Sequence, residues 1–539
     1  MSAGDWWRGA VIYQIYPRSF ADSNGDGVGD LQGIYEKLDY VASLGVDAIW
    51  ISPFFKSPMK DFGYDISDYR DVDPLFGSLE DFDRVLEKAH SLGIKVMIDQ
   101  VLSHTSNEHA WFIESREDRT NDKSDWYVWA DANLDGTPPN NWLSIFGGCG
   151  WEWEPRRQQY YLHNFLSSQP DLNFHNPDVQ QAVLDNVEFW LKRGVDGLRL
   201  DAINFCFHDA QLRDNPGKPP EARVGRGFSP DNPYAFQYHY YNNTQPENLP
   251  FLEKLRALMD RYPGTAALGE ISAEDSLATT AEYTEEGRLH MGYSFELLTD
   301  DYSAEYIRST VQNLEKQVTQ GWPCWSVSNH DVVRVASRWS QNGELNPAQA
   351  KMLAAMICSL RGSVCIYQGE ELGLPEADIP YELLQDPYGI TFWPTFKGRD
   401  GCRTPMPWQA GAQQGGFSNA EPWLPIPDAH LNRAVDAQES AADSVLNSFR
   451  RFTEWRKAFP ALVRGDIQFL ETAEPILAFV RSSDDQSMLC VFNLGGEDVT
   501  VELEQLANAA PVSEQPVLSG TPDANSLSLP GFGAYFAEL

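Results

Sequence analysis

Six polar side chains stand at or just after the ends of short apolar runs. They are Asp99, Arg199, Asp201, Glu270, His330 and Asp331. No Gly-rich phosphate turn follows the first run, and no paired Cys or His spacing indicates a metal cluster. Carboxylates without either feature favour acid/base and covalent chemistry on a polar, uncharged substrate. Glycoside hydrolysis fits, because one carboxylate can attack the anomeric carbon while another protonates the leaving oxygen.

The runs that carry these residues alternate with amphipathic stretches. Eight strands are predicted, at Val11–Tyr16, Ala48–Ile51, Lys95–Asp99, Gly197–Leu200, Ala266–Glu270, Met291–Ser294, Cys324–Val327 and Ser363–Tyr367. Helices are predicted between them, for example at Leu79–Leu92, Val179–Arg193, Leu249–Tyr262 and Pro347–Leu360. This alternation predicts an α/β fold, a (β/α)8 TIM barrel, in which functional side chains gather at the carboxyl ends of the strands.

Two departures from the strand–helix alternation predict further domains. Between the third and fourth strands, residues 102–174 are rich in Trp, Asn, Pro and Gly and are too long for a simple loop. After residue 460 short strands replace the helices, at Ile476–Val480, Met488–Leu494 and Val499–Leu503. Residues 1–101 and 175–460 are predicted to form the catalytic barrel, in two pieces. Residues 102–174 would form an excursion domain B between them, and residues 461–539 would form a C-terminal antiparallel β domain.

Charge and targeting signals limit the partners and the compartment. The 539 residues carry a formal net charge of −37, which repels phosphate backbones and anionic lipid, so neither nucleic acid nor a membrane is expected as a partner. The first residues lack the basic and apolar regions of a secretory signal. Seven scattered cysteines predict mostly buried thiols in a reducing compartment. A cytoplasmic protein is therefore expected.

Four segments resemble, in the same order along the chain, the four sequence motifs of glycoside hydrolase family 13. They are Asp99–His104, Gly197–Asp201, Gly269–Glu270 and Ser328–Asp331. The resemblance extends from Ile12–Phe20 to the final β domain and is strongest to the exo-acting α-glucosidase and oligo-1,6-glucosidase branch. One departure is Ser103, where the family usually has Asn before the His.

This resemblance implies roles for three carboxylates. Asp201 would be the nucleophile and Glu270 the general acid/base of a retaining reaction, while Asp331 would bind the 2- and 3-hydroxyls of the sugar and distort its ring. Arg199 lies two residues before Asp201, so both side chains point to one side of a strand. We expect its guanidinium to keep Asp201 ionised, as a nucleophile requires.

Other matching positions imply a pocket for one terminal glucose. By resemblance, Asp61 and Arg399 bind its 4-hydroxyl and Tyr64 stacks on its ring. His104 and His330 are expected to donate hydrogen bonds to ring hydroxyls. If Asp61 and Arg399 close the far wall, only a chain end fits and the enzyme is exo-acting. The alternative for these two residues is a surface salt bridge.

The implied activity is hydrolysis of short α-glucosides of the maltose class through a glucosyl-enzyme, with transfer of glucose to alcohol, phenol or sugar acceptors. Phe146, Phe165 and Phe205 would form apolar walls that favour an alcohol. An oligo-1,6-glucosidase and a sucrose or trehalose isomerase share the intermediate and remain alternatives. A catalytically inactive transporter-associated subunit is disfavoured, because the three catalytic carboxylates are retained and no membrane anchor is visible.

Two segments make opposite predictions about linkage. Gln169–Asn173 resembles the segment of 1,6-acting and mixed-specificity members. Ala202 resembles the small residue that follows the nucleophile in 1,4-acting relatives, where 1,6-acting ones tend to carry Val. Ala202 adjoins Asp201 and should border the leaving-group sugar. We therefore expect maltose to be a better substrate than isomaltose.

A loop near the amino terminus has the spacing of a calcium site. Every second residue from 22 to 30 can supply an oxygen ligand, four of them from side chains and one from a backbone carbonyl. Gly27 occupies the sixth position of this loop. The candidate ligands are Asp22, Asn24, Asp26, the Val28 carbonyl and Asp30. Gly33 stands where an EF-hand has its Glu, so an EF-hand is not predicted. Family 13 has a similar site, which implies a structural Ca²⁺, or Mg²⁺ in its place. A metal-free Asn/Gly turn is the alternative.

Overall fold

The computed structural model describes residues 4–223, 229, 231–340 and 346–539. Eight parallel strands close a barrel in which each strand pairs with its neighbours in chain order. We label them β1 to β8, at Val11–Ile15, Ala48–Ile51, Lys95–Val101, Gly197–Asp201, Ala266–Glu270, Met291–Tyr293, Trp322–Trp325 and Ser363–Tyr367. The predicted fold class is confirmed, and each observed strand overlaps its predicted range.

The barrel strands are almost wholly buried because both of their faces are covered. In β1 the side chains of Val11, Tyr13 and Ile15 join the layer between strands and helices, whereas Ile12 joins a separate cluster inside the barrel with Trp50 of β2. This alternation follows from the period of two along a strand. Burial on both faces explains why the runs are continuously apolar rather than alternating.

Helices cover the outside of the barrel and several have clear end signals. Ser78 and Asp81 form a capping box at the start of Leu79–Ser91, and Gly194 adopts φ 104° where Pro177–Arg193 ends. The other helices are Leu31–Ser43, Ala110–Ser115, Asn248–Met259, Ser276–Tyr283, Ala304–Gln317, Val335–Arg338, Pro347–Ile357, Pro387–Phe392, Asp428–Leu431, Val435–Glu439, Val445–Arg456 and Pro460–Arg464.

Residues 102–174 contain a small sheet of their own. Its three antiparallel strands are Trp129–Ala130, Gln159–Leu162 and Trp151–Glu154, in that spatial order. Trp142 and Trp151 stack with their ring centroids 5.7 Å apart within a separate apolar cluster. The end of this segment lies beside its beginning, because His104 and Asp171 form an antiparallel β-bridge.

The C-terminal residues form two antiparallel sheets. The larger one has the order Asp466–Phe469, Ile476–Ser483, Gln486–Asn493, Ala534–Glu538 and Ala510–Pro511. The smaller one has the order Val499–Glu502, Ser526–Leu529 and Thr521–Asp523. The predicted C-terminal antiparallel domain is therefore confirmed.

Two further expectations concern the state of the cysteines and the presence of membrane-spanning helices. All seven cysteines are free thiols, and six of them are buried, as the sequence predicts. No helix among the described residues has the length and apolar character that a membrane crossing requires.

Candidate active site

A buried guanidinium joins three carboxylates at the carboxyl ends of β3, β4 and β5. Arg199 Nη1 lies 3.0 Å from Asp99 Oδ1 and 2.8 Å from Asp201 Oδ1, and its Nη2 lies 2.7 Å from Glu270 Oε1. The predicted same-side placement of Arg199 and Asp201 is confirmed. The strand ends thus bring both candidate catalytic carboxylates to one cation.

The two carboxyls differ in their affinity for a proton. Burial raises the pKa of Asp201 to about 7 and that of Glu270 to about 8, and the charge of Arg199 lowers both values in part. Arg199 therefore favours ionisation of Asp201 as expected, but burial outweighs it. Since Glu270 has the higher pKa, a single proton shared by the pair resides mainly on Glu270. The arrangement can thus supply one anionic carboxylate and one carboxylic acid.

The backbone after Asp201 turns toward Glu270. Ala202 has φ 40° and ψ 45°, in the left-handed region, and its N–H donates a hydrogen bond to Glu270 Oε2 at 3.0 Å. Asn204 then joins the loops after β4 and β5, because its Nδ2 donates to Ser272 O at 2.9 Å and its Oδ1 accepts from Ser272 N at 3.2 Å. These bonds hold the Glu270 carboxyl against the end of β4.

Asp331 is held by two arginines. Arg403 Nη2 lies 2.7 Å and Arg399 Nη1 lies 3.4 Å from Asp331 Oδ1. Burial opposes ionisation of Asp331, but the neighbouring His330 ring and both guanidinium groups outweigh it and hold the pKa of Asp331 well below its ordinary value. Asp331 is therefore an anion with fixed orientation.

One end of the site is closed by a buried ion-pair network. Arg399 Nη2 lies 2.9 Å from Asp61 Oδ1 and 2.8 Å from Asp386 Oδ1. Gln169 Nε2 donates to Asp61 Oδ2 at 3.0 Å, so residues 102–174 contribute to this wall. Asp61 and Arg399 are both buried, at 5% and 8% exposure, which excludes a surface salt bridge.

A chain of hydrogen bonds orients Tyr64 and His330. Gln14 Nε2 lies 2.7 Å from His330 Nδ1, so that nitrogen accepts, and His330 Nε2 is left as the donor to the Tyr64 hydroxyl at 2.7 Å. The Tyr64 hydroxyl donates to Asp99 Oδ2 at 3.1 Å. Burial lowers the pKa of His330 to about 3, so the ring is neutral.

His104 is fixed in a similar way. Ser103 Oγ lies 3.0 Å from His104 Nδ1, and His104 Nε2 donates to the Tyr64 carbonyl at 3.0 Å. The serine that departs from the family motif thus orients the histidine.

These groups surround a cavity of about 640 Å³. Nine of the eleven predicted catalytic and substrate-binding residues line it: Asp61, Tyr64, His104, Phe146, Phe165, Asp201, Glu270, Asp331 and Arg399. The other two, Arg199 and His330, lie behind the lining at 1% exposure each, where they hold neighbouring side chains.

Aromatic side chains form one continuous wall of this cavity. The Phe165 ring lies 5.4 Å from Phe205 and 6.2 Å from Phe146, and Phe146 lies 5.3 Å from Tyr388, measured between centroids. The wall reaches from the loop that follows Asp201 to the helix Pro387–Phe392. A flat or apolar group next to the carboxylates would therefore contact aromatic rings.

The candidate metal loop is built from turns. Asp22 Oδ1 accepts from Asn24 N and Gly25 N, at 3.0 and 2.7 Å, and Asp30 caps the helix Leu31–Ser43 through Gly33 N. Burial raises the pKa of Asp30, and the charge of Asp22 raises it further. Two neighbouring carboxylates and further oxygen donors suit a hard cation. Among the described residues, however, no group of three or more His, Cys, Asp or Glu is arranged to hold a metal ion.

Comparison with known proteins identifies the family. The family model described as the catalytic domain of α-amylase matches residues 14–465, and that of the C-terminal domain of maltogenic amylase matches residues 467–536. The chain belongs to glycoside hydrolase family 13. Three of the four segments that resemble the motifs of this family meet at Arg199, and the fourth contributes Asp331 to the lining of the same cavity.

Relatives of similar length cover nearly the whole chain. A probable α-glucosidase of Rhizobium meliloti (strain 1021) is 56% identical over 99% of this chain and 97% of its own. An oligo-1,6-glucosidase of Parageobacillus thermoglucosidasius is 35% identical over 90% of both chains.

Two solved structures have folds similar to that of this chain. The crystal structure of the α-glucosyl transfer enzyme XgtA has a TM-score of 0.97 at 67% identity and covers 99% of both chains. The trehalulose synthase MutB from Pseudomonas mesoacidophila MX-45 has a TM-score of 0.88 at 30% identity, again over 99% of both chains.

The contacts of four side chains of this family 13 site were not predicted from the sequence, although Gln169 was named as part of a linkage segment. Arg403 binds Asp331, Asp386 binds Arg399, Gln169 binds Asp61, and Tyr388 extends the aromatic wall. Arg403 follows Arg399 by four residues, and that proximity is a signal that could have found it. Asp386 and Tyr388 carry no spacing that relates them to the site, and Gln169 is signalled only as part of the segment Gln169–Asn173.

Proposed function

We propose that the protein is a retaining exo-α-glucosidase that also transfers glucose to alcohols, phenols or sugars, with Asp201 as nucleophile and Glu270 as general acid/base. The observation that carries this proposal is the single guanidinium of Arg199 bonded to both carboxylates at the floor of a closed-ended cavity. The names of the 56%-identical relative and of the 67%-identical transfer enzyme support it.

The first half-reaction uses the difference in pKa between the two carboxyls. Glu270 donates its proton to the glycosidic oxygen while an Asp201 oxygen attacks the anomeric carbon. The bond between that carbon and the leaving oxygen breaks, and a bond to Asp201 forms. Arg199 contacts both carboxylates and stabilises the negative charge that passes to Glu270.

The second half-reaction reverses these roles. The Glu270 carboxylate removes a proton from water or from an alcohol, whose oxygen attacks the anomeric carbon as the bond to Asp201 breaks. Two inversions give net retention. Water yields glucose, and an alcohol, phenol or sugar yields a new glucoside, so the acceptor that reaches Glu270 decides the product.

Exo action follows from the closed end of the cavity. Asp61 and Arg399 form one buried pair across it, and Asp331 lies within reach of the same arginine. These charged groups suit the hydroxyls of a terminal glucose, and no space for a longer chain is needed behind them. In this proposal Asp61 and Arg399 bind the 4-hydroxyl, Asp331 binds the 2- and 3-hydroxyls, and Tyr64 stacks on the ring.

An oligo-1,6-glucosidase or an isomerase is the second candidate. The oligo-1,6-glucosidase relative and the trehalulose synthase structure favour it at 35% and 30% identity. Both values are well below the 67% identity of the α-glucosyl transfer enzyme, so we prefer glucosyl transfer and hydrolysis.

We also propose a structural Ca²⁺ in the loop of residues 22–30, bound by Asp22, Asn24, Asp26, the Val28 carbonyl and Asp30. When bound, the cation would neutralise the repulsion between Asp22 and Asp30 and would take no part in catalysis. A cytoplasmic location is proposed as well, supported by the seven free thiols.

The deciding experiment compares maltose, isomaltose and sucrose side by side and identifies every product by chromatography and NMR. We expect glucose from maltose, released first as the α-anomer, and glucosides when an alcohol is added. β-Glucose as the first product would contradict the retaining mechanism. Rearranged sucrose isomers as main products would favour the isomerase.

A further inference from the structure

The cavity is also bounded by charged side chains that the reaction steps above do not use. Lys218 and Glu274 both line the cavity, and Lys218 Nζ lies 3.0 Å from Glu274 Oε2. Their side chains are 13% and 24% exposed, so the pair is half-buried and accessible from the cavity. An ion pair at this position presents donors and acceptors to whatever occupies the space.

Glu274 also fixes the segment that bears Lys218. Its Oε1 accepts a hydrogen bond from His239 N at 3.0 Å, while Oε2 binds Lys218. Lys218 N donates to Phe236 O at 2.7 Å, and Tyr238 N donates to Pro216 O at 2.9 Å, so residues 216–218 run beside residues 236–238. One carboxylate thus connects both stretches to the loop that follows Glu270.

The position of this pair relative to the carboxylates indicates what it contacts. Residues 272–277, which include Glu274, line the cavity directly after the proposed acid Glu270. Because the terminal glucose of the proposed reaction occupies the end closed by Asp61 and Arg399, the leaving group and the incoming acceptor must extend from Glu270 into the remaining part of the cavity, whose lining includes Lys218 and Glu274. The acceptor space is therefore lined by the Lys218–Glu274 pair as well as by the aromatic wall, whose Phe146 ring also lies 5.1 Å from the Arg399 guanidinium carbon.

The two surfaces suit different acceptors. Aromatic rings favour a flat apolar alcohol, whereas an ammonium and a carboxylate offer charge-assisted hydrogen bonds to a polyhydroxyl compound. Lys218 Nζ also lies 5.2 Å from the centroid of the Tyr238 ring, which leaves N–H groups beyond the bond to Glu274. A sugar acceptor can use these groups, and an apolar alcohol cannot.

We propose that Lys218 and Glu274 form the binding site for the hydroxyls of a sugar acceptor, and that they set the choice between sugars and apolar alcohols in glucosyl transfer. This inference rests on the proposed function. Lys218 contacts the acceptor, and Glu274 both contacts it and positions Lys218.

The test measures, for each acceptor, the ratio of glucosyl transfer to hydrolysis from the glucosyl-enzyme. The purified full chain is given p-nitrophenyl α-glucoside with D-xylose or with benzyl alcohol. The nitrophenol released, less the glucose released, gives the glucose transferred. The ratio of transfer to hydrolysis is a property of the intermediate, so a variant that is merely less active or partly unfolded leaves it unchanged.

We expect Lys218→Met and Glu274→Ala to lower the xylose transfer ratio about tenfold or more, the loss expected for a charge-assisted hydrogen bond, relative to the benzyl alcohol ratio. Lys218→Arg should retain most of the xylose ratio. Glu253→Gln, which removes an exposed carboxylate paired with Arg288 outside the cavity, is the matched control and should change neither ratio.

A change of less than twofold in the relative ratio of both Lys218→Met and Glu274→Ala would overturn the inference while the proposed transfer activity stands. Wild-type protein that hydrolyses the donor but forms no glucoside with either acceptor would instead contradict the proposed transfer, and the inference would fail with it.

Discussion

Asp386 holds Arg399 at three atoms. Asp386 Oδ2 accepts from Arg399 N at 2.8 Å and from Nε at 3.0 Å, and Oδ1 accepts from Nη2 at 2.8 Å. Asp386 is fully buried and does not line the cavity. Its effect on substrate binding is therefore expected through the residues it holds, namely Arg399, which also binds Asp61, and Tyr388, whose N–H donates to Asp386 Oδ1 at 3.2 Å.

Replacing Asp386 should weaken binding of the terminal glucose. Asp386→Asn leaves the guanidinium with a weaker, neutral partner, so Arg399 can rotate away from Asp61. We expect kcat/KM for maltose to fall at least about tenfold, equivalent to ~1.4 kcal/mol, together with a lower melting temperature.

The matched control for this variant is Asp378→Asn, whose carboxylate pairs with Lys397 at the surface with 79% exposure. It should change kcat/KM less than about twofold, because exposed pairs contribute little. Equal kcat/KM values for Asp386→Asn and wild type would show that Arg399 needs no such support.

The pKa values of Asp201 and Glu270 predict a bell-shaped pH profile for kcat/KM. Below about 7 Asp201 becomes protonated and loses nucleophilicity, and above about 8 Glu270 loses the proton that the leaving oxygen needs. Activity should therefore decline on both sides of a narrow optimum between these values. Initial rates at low substrate from pH 5 to 10 measure it.

Variants of Glu270 and Asp201 assign the alkaline and acid sides of that pH profile to these two residues. Glu270→Gln should abolish the alkaline limb and let glucosyl-enzyme accumulate from p-nitrophenyl α-glucoside, visible by mass spectrometry as an added hexosyl group on Asp201. Asp201→Asn should lose turnover and form no adduct while keeping its melting temperature. An adduct on another carboxylate would disprove the assignment of Asp201.

Calcium should stabilise the fold without affecting the chemistry. Chelation is expected to lower the melting temperature more than it lowers turnover of enzyme that is still folded. Asp26→Ala tests the ligand set, since Asp26 is exposed and its Oδ1 accepts from Val28 N within the loop, whereas Asp30 also caps a helix. This variant should lose the calcium-dependent part of the melting temperature. An identical melting temperature with and without calcium in the wild type would refute the site.

Much of the barrel could be predicted from the sequence because local patterns determine it. Each barrel strand is a short apolar run, and the period of two along β4 is enough to predict that Arg199 and Asp201 share one side. The strand-end residues could be grouped because all parallel strands of a barrel end at one face. Strand order and this spacing were therefore sufficient to predict the floor of the site.

The walls were harder to predict because they come from irregular segments. Asp386 and Arg403 lie in a region of short helices and turns without periodicity, and Gln169 reaches Asp61 across 108 positions of the chain. Nothing local signals such contacts. The His330 ring bonds Gln14 and Tyr64, and its Nε2 also lies 3.5 Å from Asp331 Oδ2, so its expected hydrogen bond to a substrate hydroxyl stays a prediction.

We expect the linkage preference to depend on Ala202. Ala202 lines the cavity beside Asp201, and its N–H holds Glu270 at 3.0 Å. A β-branched side chain there would occupy space that a 1,4-linked leaving sugar needs. We expect wild-type protein to cleave maltose better than isomaltose, and Ala202→Val to shift the ratio of the two kcat/KM values toward isomaltose by roughly tenfold or more, since a methyl-scale change in a pocket is worth about 1–3 kcal/mol.

The same substitution should cost stability, because φ 40° is a strained conformation for a β-branched residue. Ala202→Gly is therefore the matched control: it relaxes the backbone and adds no bulk, so it should keep the preference for maltose. Comparing the ratio of the two substrates within each variant removes any difference in the amount of folded enzyme. If Ala202→Val and Ala202→Gly shift the ratio equally, the backbone rather than the side-chain volume controls linkage. If neither shifts it, the determinant lies elsewhere, and Gln169–Asn173 becomes the segment to exchange.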